Sequence, residues 1–221
     1  MLSINKYIDH TNLKADISKD DLIKLINEAK EYNFCSVCIN PSLVKEASSL
    51  LEDSDVKVCS VIGFPLGANT TSTKVYEAKE AVVNGADEID MVINISKLKD
   101  KDYDYVLDEI KQIKAAIGDT VLKVIIETCL LTNEEKIKAC EIVSNSGAEF
   151  IKTSTGTSTG GASVEDIILM KEHVTNDVLI KAAGGVRNYV DAINMIKAGA
   201  SRIGTSGGVS IVNGCEHNNG Y

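Results

Sequence analysis

Gly85-Ala86-Asp87-Glu88-Ile89-Asp90, Gly147-Ala148-Glu149-Phe150-Ile151-Lys152 and Gly199-Ala200-Ser201-Arg202-Ile203-Gly204 are three versions of one phrase, each set where an amphipathic stretch gives way to a β-branched run. The glycine suits a left-handed cap at a helix C-terminus and the alanine allows close packing, so the phrase reads as the loop from a helix into a strand. Asp90, Lys152 and Gly204 each fall five residues after their glycine. Side chains from alternate strands of a closed parallel barrel share a layer, so these three positions are expected at one height.

Outward from these phrases, apolar β-branched runs alternate with amphipathic stretches along the whole chain, the pattern of repeated βα units. Eight strands are predicted, over 7–11, 36–40, 57–64, 88–95, 121–128, 150–154, 178–183 and 202–205. Helix starts are marked by Ser18 with Asp21, Asn40 before Pro41, Thr132 with Glu135, and Ser163 with Asp166. The expected architecture is a single-domain α/β (β/α)8 TIM barrel over residues 1–212, followed by a polar C-terminal tail over 213–221.

Composition narrows the function classes. A chain of 221 residues that is 44% hydrophobic and 25% charged can bury one sizeable core. Its net charge of -9 comes without any basic block, which argues against a nucleic-acid surface. No apolar run is long enough to span a bilayer, and the first ten residues lack the apolar segment of a secretory signal, so no membrane partner and a cytoplasmic location are expected. The six cysteines are read as reduced thiols. Cys35 and Cys38 form a C-x-x-C, but positions three apart on a strand face opposite sides, and His10, His173 and His217 are dispersed, so no catalytic metal is expected. A homodimer is compatible with the sequence, which is otherwise silent on assembly.

Strand parity separates the two faces of the barrel wall. Ile89, Met91 and Ile93, Leu122, Val124 and Ile126, and Val178, Ile180 and Ala182 take the face packed against helices. The inward set then contains Asp9, Cys38, Asn40, Glu88, Asp90, Asn94, Lys123, Glu127, Lys152 and Lys181. Buried charge is costly unless paired, and the mixed signs allow a structural ion network as the alternative to a reactive site. Two features favour chemistry. Lys152 and Lys181 sit on neighbouring strands, close enough for like charge to depress the pKa of either one and release a free amine that attacks carbonyls. The ends of strands seven and eight carry Gly184-Gly185 and Gly204-Thr205-Ser206-Gly207-Gly208, small residues at the usual phosphate corner of such barrels.

At these residues the chain resembles the deoxyribose-phosphate aldolase family from Asp9 to about Val212. The matching stretches include Asp9-His10-Thr11, Ser36 to Pro41, Val61 to Gly67, Glu88 to Asn94, Lys123 to Glu127, Lys152-Thr153-Ser154-Thr155-Gly156, Lys181 to Arg187 and Arg202 to Ser206. The resemblance implies a class I aldolase that cleaves 2-deoxy-D-ribose 5-phosphate, a small phosphorylated sugar, without cofactor. Lys152 would be the Schiff-base nucleophile, Lys181 the amine that tunes it, and Asp90 a proton-relay group. Gly184, Gly185, Gly204, Ser206, Thr155 and Gly156 would bind substrate and its phosphate. Asp9 and Cys38 would line the site. Some members use a C-terminal tyrosine in proton transfer, and this chain ends in Tyr221. Thr157 stands where some members carry a phosphate-holding lysine. A different Schiff-base lyase and a sugar-phosphate sensor without turnover are the competing readings.

Overall fold

The computed structural model describes residues 3–175 and 177–215. Eight parallel strands close into a barrel in sequence order: β1 (Ile8–Thr11), β2 (Ser36–Ile39), β3 (Lys57–Ile62), β4 (Glu88–Val92), β5 (Val121–Ile125), β6 (Phe150–Lys152), β7 (Leu179–Ala183) and β8 (Arg202–Thr205). Closure leaves no unpaired strand edge, because β8 pairs with β1. The helices α1 (Lys19–Glu31), α2 (Val44–Leu50), α3 (Thr71–Val83), α4 (Ile95–Lys99), α5 (Tyr103–Ile117), α6 (Asn133–Ser144), α7 (Val164–His173), α8 (Tyr189–Ala198) and α9 (Gly208–Val212) connect and follow them. None of the described helices is long and apolar enough to cross a membrane.

The predicted outer-face residues of β4, β5 and β7 and their flanks all join the main apolar core between sheet and helices. Truncating one fully buried member, such as Ile89, would cost about 2–5 kcal/mol through lost transfer energy and the cavity left behind. Helix entry follows the sequence signals. Ser18 with Asp21 and Thr132 with Glu135 make reciprocal capping boxes, and Ser163 caps α7. Asn40 does not act in this way. It precedes a 3-10 turn at Pro41–Leu43 without capping it, and its side-chain amide donates to Lys14 O.

Strands β2 to β6 stop short of their predicted C-terminal ends, where the chain leaves the ladder to build the barrel mouth, while β1, β7 and β8 end as predicted. After β3, Gly63 takes a positive φ of 58° and its N–H donates to Glu77. After β4, Asn94 turns away to cap α4 by accepting from Lys97 N. After β5, Glu127 adopts a left-handed conformation. Asn40 and Asn94, read from parity as lumen residues, therefore belong to loops. The three phrase glycines, Gly85, Gly147 and Gly199, all have positive φ, as their helix-capping position requires.

Candidate active site

The lumen is filled by ionic side chains in a continuous network. At its lower level the Arg202 guanidinium donates to Asp9 Oδ1 at 2.7 Å and to the Glu88 carboxylate at 3.1–3.3 Å, and Ser36 Oγ donates to Asp9 at 2.6 Å. Lys123 Nζ links this level to the next, 2.7 Å from Glu88 and 2.8 Å from Asp90 Oδ1. Above it, Asp90 Oδ2 accepts from both Lys152 Nζ at 2.8 Å and Lys181 Nζ at 2.7 Å, and Lys181 Nζ also lies 2.5 Å from Asp9 Oδ2. Barrel closure assembles this cluster, since Lys152 pairs in register with Lys181, and Asp90 with Lys123. Asp90 and Lys152 meet across the lumen from alternate strands. Gly204 leaves room for the third member of the layer: a Cβ there would sit 3.0 Å from Lys181 Cε. Gly204 is thus a lumen-wall position inside β8.

The electrostatics of the two lysines differ from the expectation of mutual repulsion. Burial alone would push Lys181 down, but Asp9 and Asp90 outweigh it and hold the ammonium well above its ordinary range. Lys181 is therefore a stable cation and is removed as a candidate free amine. Burial would raise Asp90, yet Lys123, Lys152 and Lys181 together hold its carboxyl well below the usual carboxylate range. Asp9, against the same burial, is lowered by Lys181, Lys123 and Arg202. The network holds three carboxylates, Asp9, Glu88 and Asp90, against four basic groups, Lys123, Lys152, Lys181 and Arg202. Lys123, Lys181 and Arg202 each touch two of the carboxylates, whereas Lys152 touches Asp90 alone.

Two thiols share the lumen. Cys38 and Cys59 are register partners on β2 and β3, fully buried, and Cys59 Sγ lies 3.1 Å from Asp90 Oδ1. All six cysteines are free. Cys35 is half-buried and takes no part in this pair. His10, buried beside Phe34, pairs with Glu28 at 2.7 Å.

The mouth is arranged around Glu127. Its carboxylate accepts from Thr155 Oγ1 at 2.5 Å and from Thr155 N at 3.2–3.3 Å. Thr155, read from sequence as a substrate ligand, is thus committed to holding its own loop, and its hydroxyl is further shared with Thr157. Gly156 and Gly184 meet in backbone packing: a Cβ on Gly184, whose φ is 81°, would lie 3.0 Å from Gly161 Cα and 3.3 Å from Gly156 Cα. Ala162 N donates to Ala183 O and Gly184 O, fixing the loop after β6 across the end of β7. Gly185, by contrast, has open space where a side chain would be. It follows β7 as half-buried Ser206 follows β8. A cleft of about 140 Å³ lined by Pro65, Leu66, Ile95, Glu127, Leu130 and Thr157 opens beside this loop.

The structure therefore gathers Lys152, Lys181, Asp90, Asp9 and Cys38 in one lumen, sets Gly185 and Ser206 at its mouth, and uses Thr155, Gly156 and Gly184 to build the loop between. Tyr221 lies outside the described residues. Sequence reading missed Arg202, although parity with inward Gly204 two residues later contained the signal. It also missed Cys59, whose neighbour Ser60 is the polar residue of mid-strand β3 and has the opposite parity.

The chain is similar to known proteins over nearly its whole length. The model of the DeoC/LacD family aldolases matches residues 3–217. A deoxyribose-phosphate aldolase of Streptococcus suis (strain 98HAH33) is 56% identical over 220 residues, covering 100% of both chains. Among solved structures, a putative deoxyribose-phosphate aldolase from Coccidioides immitis superposes with a TM-score of 0.93 at 43% identity, over 96% of this chain and 85% of that one. A deoxyribose phosphate aldolase from Aeropyrum pernix, described as having a unique tetrameric structure, gives a TM-score of 0.87 at 32% identity, over 95% of this chain and 89% of the other. With an amine, a carboxylate and a second amine joined at the centre of a closed barrel, and with this likeness over its full length, the chain belongs to the DeoC/LacD family of aldolases.

Proposed function

We propose that this aldolase reversibly cleaves 2-deoxy-D-ribose 5-phosphate to D-glyceraldehyde 3-phosphate and acetaldehyde through a Schiff base on Lys152. The observation that carries the reading is the charge imbalance of the lumen. Four basic groups share three carboxylates, and Lys152 is the one with a single carboxylate contact, set at the end of β6. Lys181, held as a cation by Asp9 and Asp90, supplies the adjacent positive charge.

The neutral Lys152 amine attacks the open-chain aldehyde to give a carbinolamine, which loses water to form an iminium. The iminium is the electron sink, so the bond between the second and third sugar carbons breaks with its electron pair moving into an enamine on Lys152. The third-carbon hydroxyl loses its proton as it becomes the aldehyde of the departing triose phosphate. Asp90, in contact with both lysine nitrogens, is the group placed to relay protons there and to the enamine carbon. Hydrolysis of the resulting iminium then frees acetaldehyde and restores the amine. Asp9 acts by holding Lys181. The substrate phosphate is assigned to the backbone N–H groups around Gly185 and Ser206, with no lysine at Thr157 to assist. Anchoring it there sets the distance from carbonyl to Lys152.

Borohydride with substrate should add mass at Lys152, and Lys152→Leu should abolish acetaldehyde release while the fold is kept. Label at Lys181 would exchange the roles of the two lysines. A sugar-phosphate sensor is disfavoured, because binding alone has no use for an unbalanced buried amine. The cytoplasm is the proposed compartment, in keeping with six free thiols. A homodimer is the proposed assembly, supported by exposed Tyr76 and Val83 seven residues apart on α3, and sedimentation decides it against a monomer or a tetramer.

A further inference from the structure

The aldol chemistry leaves Cys38 and Cys59 without a step, yet their placement is specific. Register pairing projects both side chains into the lumen from adjacent strands, and Cys59 is directed at the same Asp90 that joins the two lysines. The two sulfurs and an Asp90 oxygen lie within 4.8 Å of one another, the one such set of metal-competent donors among the described residues. Their apolar neighbours are Val61 and the half-buried Leu13 and Phe64, and Lys123 Nζ lies 3.3 Å from Cys59 Sγ.

We propose that Cys38, Cys59 and Asp90 Oδ1 form a binding site for a soft divalent cation of the zinc and cadmium class, whose occupation displaces Lys123 from that oxygen, draws charge from the carboxylate that Lys152 and Lys181 share, and stops turnover. Metal–sulfur bonds of about 2.3 Å at a tetrahedral angle bring two sulfurs about 3.8 Å apart, a separation compatible with these side chains on an unmoved backbone. Charge also balances. Binding one dication releases the two thiol protons, so the dithiolate and its metal add no net charge to the lumen. A hard cation has no such route. It would meet one carboxylate among three ammonium groups, and so magnesium and calcium are excluded from the site by charge as well as by ligand softness. Asp90 is the only oxygen ligand of the set, and a metal at its Oδ1 takes the place of Lys123.

The inhibitory half of the proposal rests on the aldolase reading above; the binding half does not. The test is cadmium titration of the full chain, read by the ultraviolet sulfur-to-cadmium charge-transfer band, by native mass and by acetaldehyde release. A Cys129→Ser/Cys215→Ser background removes the exposed thiols. In that background one tightly held cadmium with its band should appear, and turnover should be lost in step with it and return on chelation. Cys59→Ala and Cys59→Ser, both checked for fold by circular dichroism, should lose the tight band, and whatever rate each has without metal should persist in cadmium. An absent band, a band that survives both Cys59 substitutions, or turnover that continues with cadmium bound overturns the proposal. Absence of turnover before metal is added refutes the aldolase reading instead, and the band and mass still decide whether the site exists.

Discussion

Replacing Asp90 with Asn keeps the size of the side chain and removes the charge that three buried ammonium groups share. Lys123, Lys152 and Lys181 each donate to Asp90 at 2.7–2.8 Å, and Asp90, Lys123 and Lys181 are completely buried. The Asn carbonyl can accept from one lysine, but its NH2 group points donors at the others. Losing one partner of a buried ion pair costs about 3–5 kcal/mol, and Asp90→Asn should fall in that range, partly relieved where a lysine sheds its proton. For a chain of this length each kcal/mol corresponds to about 2–4 °C in Tm. Removing a proton-relay group should also reduce turnover by about 10²–10⁴-fold. Adding Lys123→Met takes away the cation that pairs with the opposite oxygen, so the double variant should regain part of the stability and none of the activity. Urea denaturation and acetaldehyde release measure the two effects. The reasoning fails if Asp90→Asn is as stable as the parent, or if the double variant is less stable than the two single losses added together.

Other outcomes follow from the same network. Lys152→Leu, besides ending the proposed Schiff-base chemistry, leaves Asp90 paired with Lys123 and Lys181 and should be near neutral in urea; marked destabilisation would show Lys152 to be a needed partner. Asp9 and Asp90 are held below their ordinary range in the folded state, so their stabilisation is full above about pH 4 and is lost as the pH falls through the folded values. Lys181 is held above its range, so its contribution is full below about pH 10 and lost only as the pH rises through its folded value. Urea midpoints should therefore be insensitive to these groups between those limits and drop on the acid side. Gly204→Ala should push Lys181 aside, lowering kcat with little change in circular dichroism or Tm. Gly184→Ala places a side chain at φ 81° against the backbone of Gly161, and should cost about 1–2 kcal/mol for the backbone conformation alone while raising KM through the displaced loop.

The barrel was legible because two short-range rules suffice for it. Alternation of period two identified which residues of β4, β5 and β7 meet the helices, and the repeated glycine phrases marked where three strands begin. The same parity put Lys123, Lys152, Lys181, Asp9 and Asp90 in the lumen. It could not say which would touch, since Asp90 and Lys181 are 91 positions apart and meet only on closure. That is why repulsion between two lysines was the natural expectation and a shared carboxylate the observed answer. The mouth was least legible. Thr155 and Gly184 look like ligands because small and hydroxyl residues often bind phosphate, yet one is held by Glu127 and the other is packed on Gly161. Glu127 itself stands beyond the end of β5 in a left-handed turn that alternation does not foresee.

Desolvation explains why such a lumen is not a structural ornament. Each buried ion carries a penalty of several kcal/mol, and pairing offsets it only where geometry leaves no charge over. A network kept for stability would therefore match its carboxylates to its cations. Here Arg202, Lys123 and Lys181 are matched by two acidic partners each, and the pairing runs out at Lys152. The imbalance falls on the side chain that lies at the end of its strand, where β6 stops after three residues and the chain turns into the mouth. Lys152 is thus the basic group of the network with the fewest acidic partners. A closed, apolar outer shell supplies the stability that tolerates this arrangement, and the reactive amine follows from the charge left unmatched inside it.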